Sequence, residues 1–236
     1  MASLEYIARR VETQFVEQAN DVAACLRKRI VPSFDSIEAE ADAEQERVYE
    51  EAAQNFDPDT FDPADDYESS FEAGLDLYMR AAQMKQAYVN MTVVMLWHLF
   101  EQQLRVLVRR ELPPVGYDDE PVDDPVGIAT RLFKSHGVNL FKLPSMKKLD
   151  EVRLVANTVK HTDGDAATAL RSKRPELFTD PRLEVGNREP PITVDFTAFG
   201  DDLYVTLDII DEYVGHIVSF WNEMAAKLRE AAQRRP

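Results

Sequence analysis

Three side chains of different chemistry are spaced one helical turn apart in the segment from Met146 to His161. Arg153, Asn157 and His161 follow one another at intervals of four residues, so on an α-helix they form one row along its flank. A guanidinium binds a phosphate through paired hydrogen bonds, an amide can position it, and an imidazole can transfer a proton near neutral pH. These residue types therefore predict phosphodiester chemistry, and the structural alternative is an exposed polar flank of a core helix.

An earlier helix contributes a second candidate pair, Glu101 and Arg105, which are one turn apart and can form an ion pair. Glu101 lies at the margin of an apolar stripe, where a carboxylate needs a partner once it is desolvated. Arg153 of the later helix is a candidate for that partner, and an ordinary surface pair is the alternative. Lys160, next to His161, lies near the same edge as the first set.

The composition excludes several other kinds of site. Cys25 is the single cysteine of the 236 residues, which excludes a disulfide framework and a cysteine-based zinc cluster. Four histidines are too few to propose a metal site, so we expect no metal and no cofactor. We also expect Cys25 and His98 to be buried core residues, and His216 to lie at the surface or in an interface.

The net charge of −16 argues against nucleic acid as a partner, because phosphates repel an acidic surface. The charges are strongly segregated, however. Residues 31–79 contain sixteen Asp and Glu against the lone Arg47, a local net charge of −15, whereas residues 131–174 have a local net charge of +6. The basic stretch includes the candidate site, so the overall charge is a poor guide to what that site binds.

Apolar residues at helical spacing predict an all-α fold, a helical bundle with long antiparallel helices. Two domains are expected: residues 1–62, an N-terminal helical pair with the acidic segment and an Asp-Pro loop, and residues 63–236, the bundle. Loops are predicted at 55–66 and 113–124, and a small β-hairpin at 182–196. The predicted helices are 3–30, Ser33 to Gln54, Glu68 to Glu111, Asp124 to Ser135, Pro144 to His161, 166–178 and Asp201 to Arg229.

The first ten residues mix acidic and basic side chains where a signal peptide needs an apolar stretch. The longest apolar run, Met91 to Phe100, is about half the length of a membrane span. Both features predict a soluble, cytoplasmic protein with no membrane partner.

Two segments resemble the HEPN superfamily (higher eukaryote and prokaryote nucleotide-binding domains). They are Trp97-His-Leu-Phe-Glu-Gln-Gln-Leu-Arg105 and Leu149-Asp-Glu-Val-Arg-Leu-Val-Ala-Asn-Thr-Val-Lys-His161, followed by an amphipathic last helix. The resemblance covers about residues 70–230. It implies a metal-independent endoribonuclease of a bacterial defence or toxin–antitoxin system, with RNA as substrate and a site completed across a homodimer or higher oligomer. It also implies an antitoxin, a sensor or another defence-system protein as partner.

The resemblance further implies a role for each site residue. Arg153 stabilises the charge of the phosphorane, Asn157 positions the phosphate, and His161 acts as general acid or base while the substrate 2′-OH attacks. Glu101 and Arg105 orient Arg153.

The sequence departs from the family pattern directly before Asn157, where Ala156 stands in place of the usual arginine. Seven residues separate Arg153 from His161, which leaves three alternatives: Arg153 reaches along the helix, Lys160 substitutes for the missing arginine, or the chain binds without cutting. The alternative function is therefore a non-catalytic helical module that binds nucleotide, RNA or a protein partner. The acidic segment is then a docking arm for a basic partner, a nucleic-acid mimic that masks the basic groove, or a solvated hairpin.

Overall fold

A computed structural model of the chain describes residues 3–54, 63–111, 125–135, 137–162, 164–180 and 203–233. Most of these residues are helical and none of them forms a strand, which confirms the predicted all-α class and helical bundle. The predicted loop at 113–124 and hairpin at 182–196 lie outside the described residues. The α-helices are α1 (Leu4–Arg10), α2 (Val16–Cys25), α3 (Ile37–Gln54), α4 (Pro63–Val106), α5 (Pro125–Ser135), α6 (Pro144–His161), α7 (Asp165–Lys173) and α8 (Leu207–Gln233).

Short helical turns of other geometry extend several of these helices. The π-helical turn Val11–Phe15 links α1 to α2, and a second one, Leu26–Ile30, continues α2, so residues 3–30 are nearly continuously helical as predicted. A third π-helical turn, Leu107–Glu111, extends α4 to the predicted end of that helix. None of the described helices is long and apolar enough to cross a membrane.

Three predicted helix starts are wrong by several residues. α3 begins at Ile37, because Val31–Phe34 forms a 3₁₀ turn and the Ser33 hydroxyl donates a hydrogen bond to the Ile30 carbonyl at 2.6 Å instead of capping the helix. α4 begins at Pro63, since proline is well tolerated in the first turn of a helix.

The third wrong start is that of the last helix, which begins at Leu207 and not at Asp201. Before it, the Tyr204 N–H donates to the Leu177 carbonyl at 2.8 Å. The Asn90 side-chain amide donates to the Leu203 carbonyl at 2.7 Å. These long-range partners hold residues 203–206 in a non-helical segment beside the bundle.

The described chain forms two compact units. The bundle unit comprises Met1–Cys25 and Val89–Pro236, and the hairpin unit comprises Leu26–Tyr88. This division differs from the predicted boundary at residue 62, because α1 and α2 pack against α8. The π-helical turn between α1 and α2 packs there too, where the Phe15 and Trp221 rings meet edge to face with their centroids 5.0 Å apart.

In the core of the bundle unit, the buried polar side chain of Gln103 is hydrogen-bonded among aromatic side chains. The Trp221 indole N–H donates to Gln103 Oε1 at 2.8 Å. Gln103 Nε2 donates in turn to the Phe15 carbonyl at 3.2 Å and to Gln18 Oε1 at 3.0 Å. Since buried polar groups without partners destabilise a fold, this chain of hydrogen bonds fixes the register of α2, α4 and α8.

Candidate functional site

α6 has one anchored side and one open side. It packs against α7 and α8, and its anchored side includes the predicted core residues Leu149, Val152, Val155, Ala156 and Val159, all of them buried. We call the opposite side the open face of α6, whose residues are half-buried or exposed: Met146, Asp150, Arg153, Asn157, Lys160 and His161. The helix therefore presents the predicted candidate residues together along one accessible stripe.

The three principal candidates share this face but differ in accessibility. The Arg153 side chain is 43% exposed, Asn157 is half-buried, and His161 is exposed, as is Lys160. Arg153 and His161 are eight residues apart, which corresponds to about 12 Å along a helix. That separation is larger than a single phosphate group, so the open face of one chain suits several groups of a polyanion better than one isolated phosphate.

Arg153 has an ion-pair partner that the sequence reasoning did not assign to it. Its Nη2 and Nε lie 2.7 Å and 3.1 Å from Oδ1 of Asp150, one turn earlier on the same helix. Helical side chains tilt towards the N-terminus, so this pairing directs the guanidinium away from His161. An exposed pair of this kind contributes about 0–1 kcal/mol, so an incoming phosphate can displace Asp150.

Glu101 and Arg105 lie on α4 and are both half-buried. Among the described residues, Arg153 forms its ion pair with Asp150 and not with Glu101. The predicted orienting contact is therefore absent from this arrangement.

The chain leaves α6 directly after His161 in an unusual conformation. Thr162 has φ 58° and ψ −67°, and its N–H donates to the Thr158 carbonyl at 2.8 Å. A β-branched residue is strained at positive φ, and strained backbone often occurs at functional positions. The sharp turn leaves Lys160 and His161 in the last helical turn, where the helix dipole stabilises positive charge.

Beside the open face, the half-buried carboxylate of Glu151 fixes α6 within the bundle unit. Glu151 Oε1 accepts hydrogen bonds from the Arg174 guanidinium and, at 3.1 Å, from the Tyr213 hydroxyl. Lys173 Nζ lies 3.7 Å from Glu151 Oε2. Burial, together with the negative charge of Glu151, raises the pKa of Tyr213, so its hydroxyl remains a hydrogen-bond donor. This network ties α6 to α8 and to the end of α7.

His216 lies next to this network on α8 and pairs with Glu212 at 3.4 Å. Burial lowers the pKa of His216, and the positive charge of Lys148 lowers it further, whereas Glu212 and Glu151 raise it. The net lowering favours the neutral imidazole. The His216 side chain is 13% exposed, so it is half-buried, and its expected interface position stays a prediction.

The start of α6 is held by a carboxylate from α8. Glu223 Oε2 accepts hydrogen bonds from the Ser145 hydroxyl at 2.7 Å and from the Ser145 N–H at 3.2 Å. The first N–H groups of a helix have no partner within the helix, and its N-terminus favours negative charge. Glu223 therefore acts as a cap supplied from another helix.

The roles of Glu151, Arg174 and Glu223 were not predicted, because the Glu151–Arg174 and Glu223–Ser145 contacts join residues 23 and 78 positions apart along the chain. A local signal exists for a neighbouring pair, since Glu212 and His216 are four residues apart on one helix. Two other expectations are wrong: Cys25 and His98 are both exposed.

Comparisons with protein-family models, with curated proteins and with solved structures found no match to this chain. The resemblance to the HEPN superfamily accordingly stays a prediction from the residues quoted above.

Proposed function

We propose that the chain is a metal-independent endoribonuclease of the bacterial defence or toxin–antitoxin type, which contacts RNA through the open face of α6. The observation that supports this proposal is the grouping of Arg153, Asn157 and His161 on one accessible stripe of an otherwise anchored helix. Lys160 adds a further positive charge to the stripe. The local net charge of +6 over residues 131–174 favours a polyanionic ligand.

In the proposed reaction the 2′ oxygen of RNA attacks the adjacent phosphorus while its proton passes to a general base. The bond from phosphorus to the 5′ oxygen breaks, that oxygen takes a proton from a general acid, and a 2′,3′-cyclic phosphate remains. His161 supplies the acid–base group, Arg153 stabilises the negative charge of the phosphorane, and Asn157 positions the phosphate.

The reaction needs an acid and a base at once, and each chain presents His161 once on this face. A homodimer that brings two open faces together would supply both groups and would shorten the distance from an arginine to a histidine. Glu101 and Arg105 remain supporting residues in this proposal: once a phosphate displaces Asp150, they would position the released Arg153 guanidinium.

A specific observation favours the alternative, a non-catalytic module that binds RNA. In this structure Asp150 directs the Arg153 guanidinium away from His161, and Ala156 occupies the position where the family resemblance places arginine. An RNA strand whose phosphates displace Asp150 would still bind to Arg153 and to Lys160 without being cleaved.

The test is to incubate the purified full chain with total RNA and with tRNA in the presence of EDTA. The nuclease proposal predicts products with cyclic-phosphate ends, and a loss of about 100-fold or more in rate for His161→Ala and for Arg153→Ala. Both side chains are accessible, so these variants should keep the helicity and melting temperature of the parent. His98→Ala is the matched control, since it removes another exposed histidine of the bundle unit and should cleave normally.

The outcomes separate the two candidate functions. Full activity of either His161→Ala or Arg153→Ala would contradict the assignment of these residues. RNA binding that is lost in Arg153→Ala, without cleavage by the parent chain, would favour the binding module over the nuclease.

A further inference from the structure

The hairpin unit exposes a continuous apolar ridge along the first turns of α4. Tyr67, Phe71, Leu75 and Met79 are 58%, 49%, 46% and 39% exposed, and each follows the previous one after four residues. Side chains at this spacing form one of the ridges through which helices pack against each other. A row of four large exposed hydrophobic side chains is characteristic of an interaction surface.

α3 covers the adjacent row of α4 and leaves the ridge accessible. Ser70 and Gly74, which belong to that adjacent row, are buried. A Cβ atom at Gly74 would lie 2.8 Å from the Ala41 carbonyl oxygen and 3.1 Å from the Gln45 Cβ, so the two helices approach closely at this point. α3 therefore packs against the row that contains Ser70 and Gly74, and the ridge beside it remains accessible to another helix.

The row on the other side of the ridge is acidic. Glu68, Glu72 and Asp76 are all exposed and each directly follows a ridge residue in sequence. Asp76 is 3.9 Å from Arg80, but both side chains are at least 70% exposed, so this contact neutralises little of the charge. An apolar ridge bordered by carboxylates is complementary to a helix with an apolar ridge bordered by lysine or arginine.

We propose that this acidic ridge surface, defined as Tyr67, Phe71, Leu75 and Met79 with Glu68, Glu72 and Asp76, docks a basic amphipathic helix of a protein partner. The apolar ridge supplies the buried contact by packing into a groove between side chains of the partner helix. The carboxylates, within a segment of local net charge −15, speed the encounter and select against acidic partners. This surface belongs to the hairpin unit and does not depend on the proposed RNA site.

The probe for the test is a synthetic 18-residue helix of leucine and lysine with all leucines on one face. A scrambled peptide of the same composition, in which the leucines share no face, has the same charge and is the peptide control. Binding to the full-length chain is measured by fluorescence anisotropy. We expect the amphipathic peptide to bind at least tenfold more tightly than the scrambled one, and to weaken as salt is raised.

Two variants of the chain test the two halves of the surface. Phe71→Ser with Leu75→Ser should weaken binding at least tenfold, whereas Met91→Ser with Met95→Ser, which changes two exposed methionines elsewhere on α4, should not. E68Q/E72Q/D76N should weaken binding at least fivefold. Its matched control is D42N/E46Q/E50Q on α3, which removes three other exposed carboxylates at the same spacing and should leave the affinity within about twofold.

All these side chains are exposed, so circular dichroism should show unchanged helicity for each variant. Equal binding of the two peptides, or equal weakening by the two charge variants, would overturn the proposal because binding would then follow net charge alone. Sedimentation velocity tests whether a second copy of the chain, and not a basic helix, occupies this surface. Dissociation of a parent dimer by the Phe71→Ser, Leu75→Ser pair would assign the ridge to self-association and would also overturn the proposal.

Discussion

Asp150 and Glu151 are neighbours on α6 and have the same chemistry, but they lie in opposite environments. The Glu151 side chain is 12% exposed and is bound by Arg174, Lys173 and Tyr213 from other parts of the bundle unit. The Asp150 side chain is 51% exposed and pairs with Arg153 of its own helix. Glu151 determines where α6 lies, whereas Asp150 pairs with Arg153, a binding residue from which a ligand can displace it. Substitutions of Glu151 should therefore lower the stability of the fold, whereas substitutions of Asp150 should change RNA binding.

The largest stability effect should come from removing the anchored carboxylate. Glu151→Ala removes one of the two carboxylates hydrogen-bonded to the half-buried Arg174, the other being Glu176. It also leaves the Tyr213 hydroxyl without an acceptor. We expect a loss of about 2–3 kcal/mol in the free energy of unfolding, below the 3–5 kcal/mol of a fully buried pair, because Arg174 keeps Glu176 as a partner and is partly exposed to solvent. Urea unfolding measures it, and Asp150→Ala, which should change stability by less than about 1 kcal/mol, is the matched control. Equal losses of stability in the two variants would contradict the claim that Glu151, and not Asp150, holds α6 in place.

The cap of α6 should rank second. Glu223→Ala removes the acceptor of two hydrogen bonds from Ser145, so we expect a loss of about 1–2 kcal/mol. Glu230→Ala, on an exposed part of the same helix, is the control. A loss for Glu223→Ala no larger than that of the control would show that solvent replaces this cap without cost.

Sequence periodicity was sufficient to predict α6 and its open face, because the spacing of Leu149, Val152 and Val159 determines which side of that helix is buried. It could not predict the Glu151 network or the Glu223 cap. These contacts join residues that local spacing does not relate, and they form only after the chain has folded. The same reason explains the wrong start of α8, where Asn90 and Leu177 hold residues 203–206 out of the helix.

On the open side, Asp150→Asn should strengthen RNA binding about threefold to tenfold at low salt, because it releases Arg153. Filter binding with labelled tRNA measures the affinity. Asp208→Asn, which removes an exposed carboxylate on α8, is the control for net charge. The gain should disappear in the Asp150→Asn, Arg153→Ala double variant, since the released guanidinium is then absent. A gain that persists there would mean that Asp150 repels RNA without acting through Arg153.

The smallest effect should be the pH dependence of stability that comes from His216 on α8. Burial lowers the pKa of His216 below its ordinary value of 6.5, so the unfolded chain binds a proton at this residue more readily than the folded chain. Its stabilising contribution is complete above pH 6.5 and is lost as the pH falls through the lower pKa of the folded state. The melting temperature of the parent should fall more between pH 7.5 and 5.5 than that of His216→Gln. His98→Gln should follow the parent, and a parallel fall in all three would contradict this account.

The most direct test of the central claim is to map where RNA contacts the full chain. A tRNA transcript containing 4-thiouridine is cross-linked to the protein by light, and the modified peptides are identified by mass spectrometry. The account predicts that cross-links concentrate on residues 146–161 and decrease in Arg153→Ala. Cross-links that avoid α6, or that are unchanged in Arg153→Ala, would contradict the claim that the open face of α6 contacts RNA.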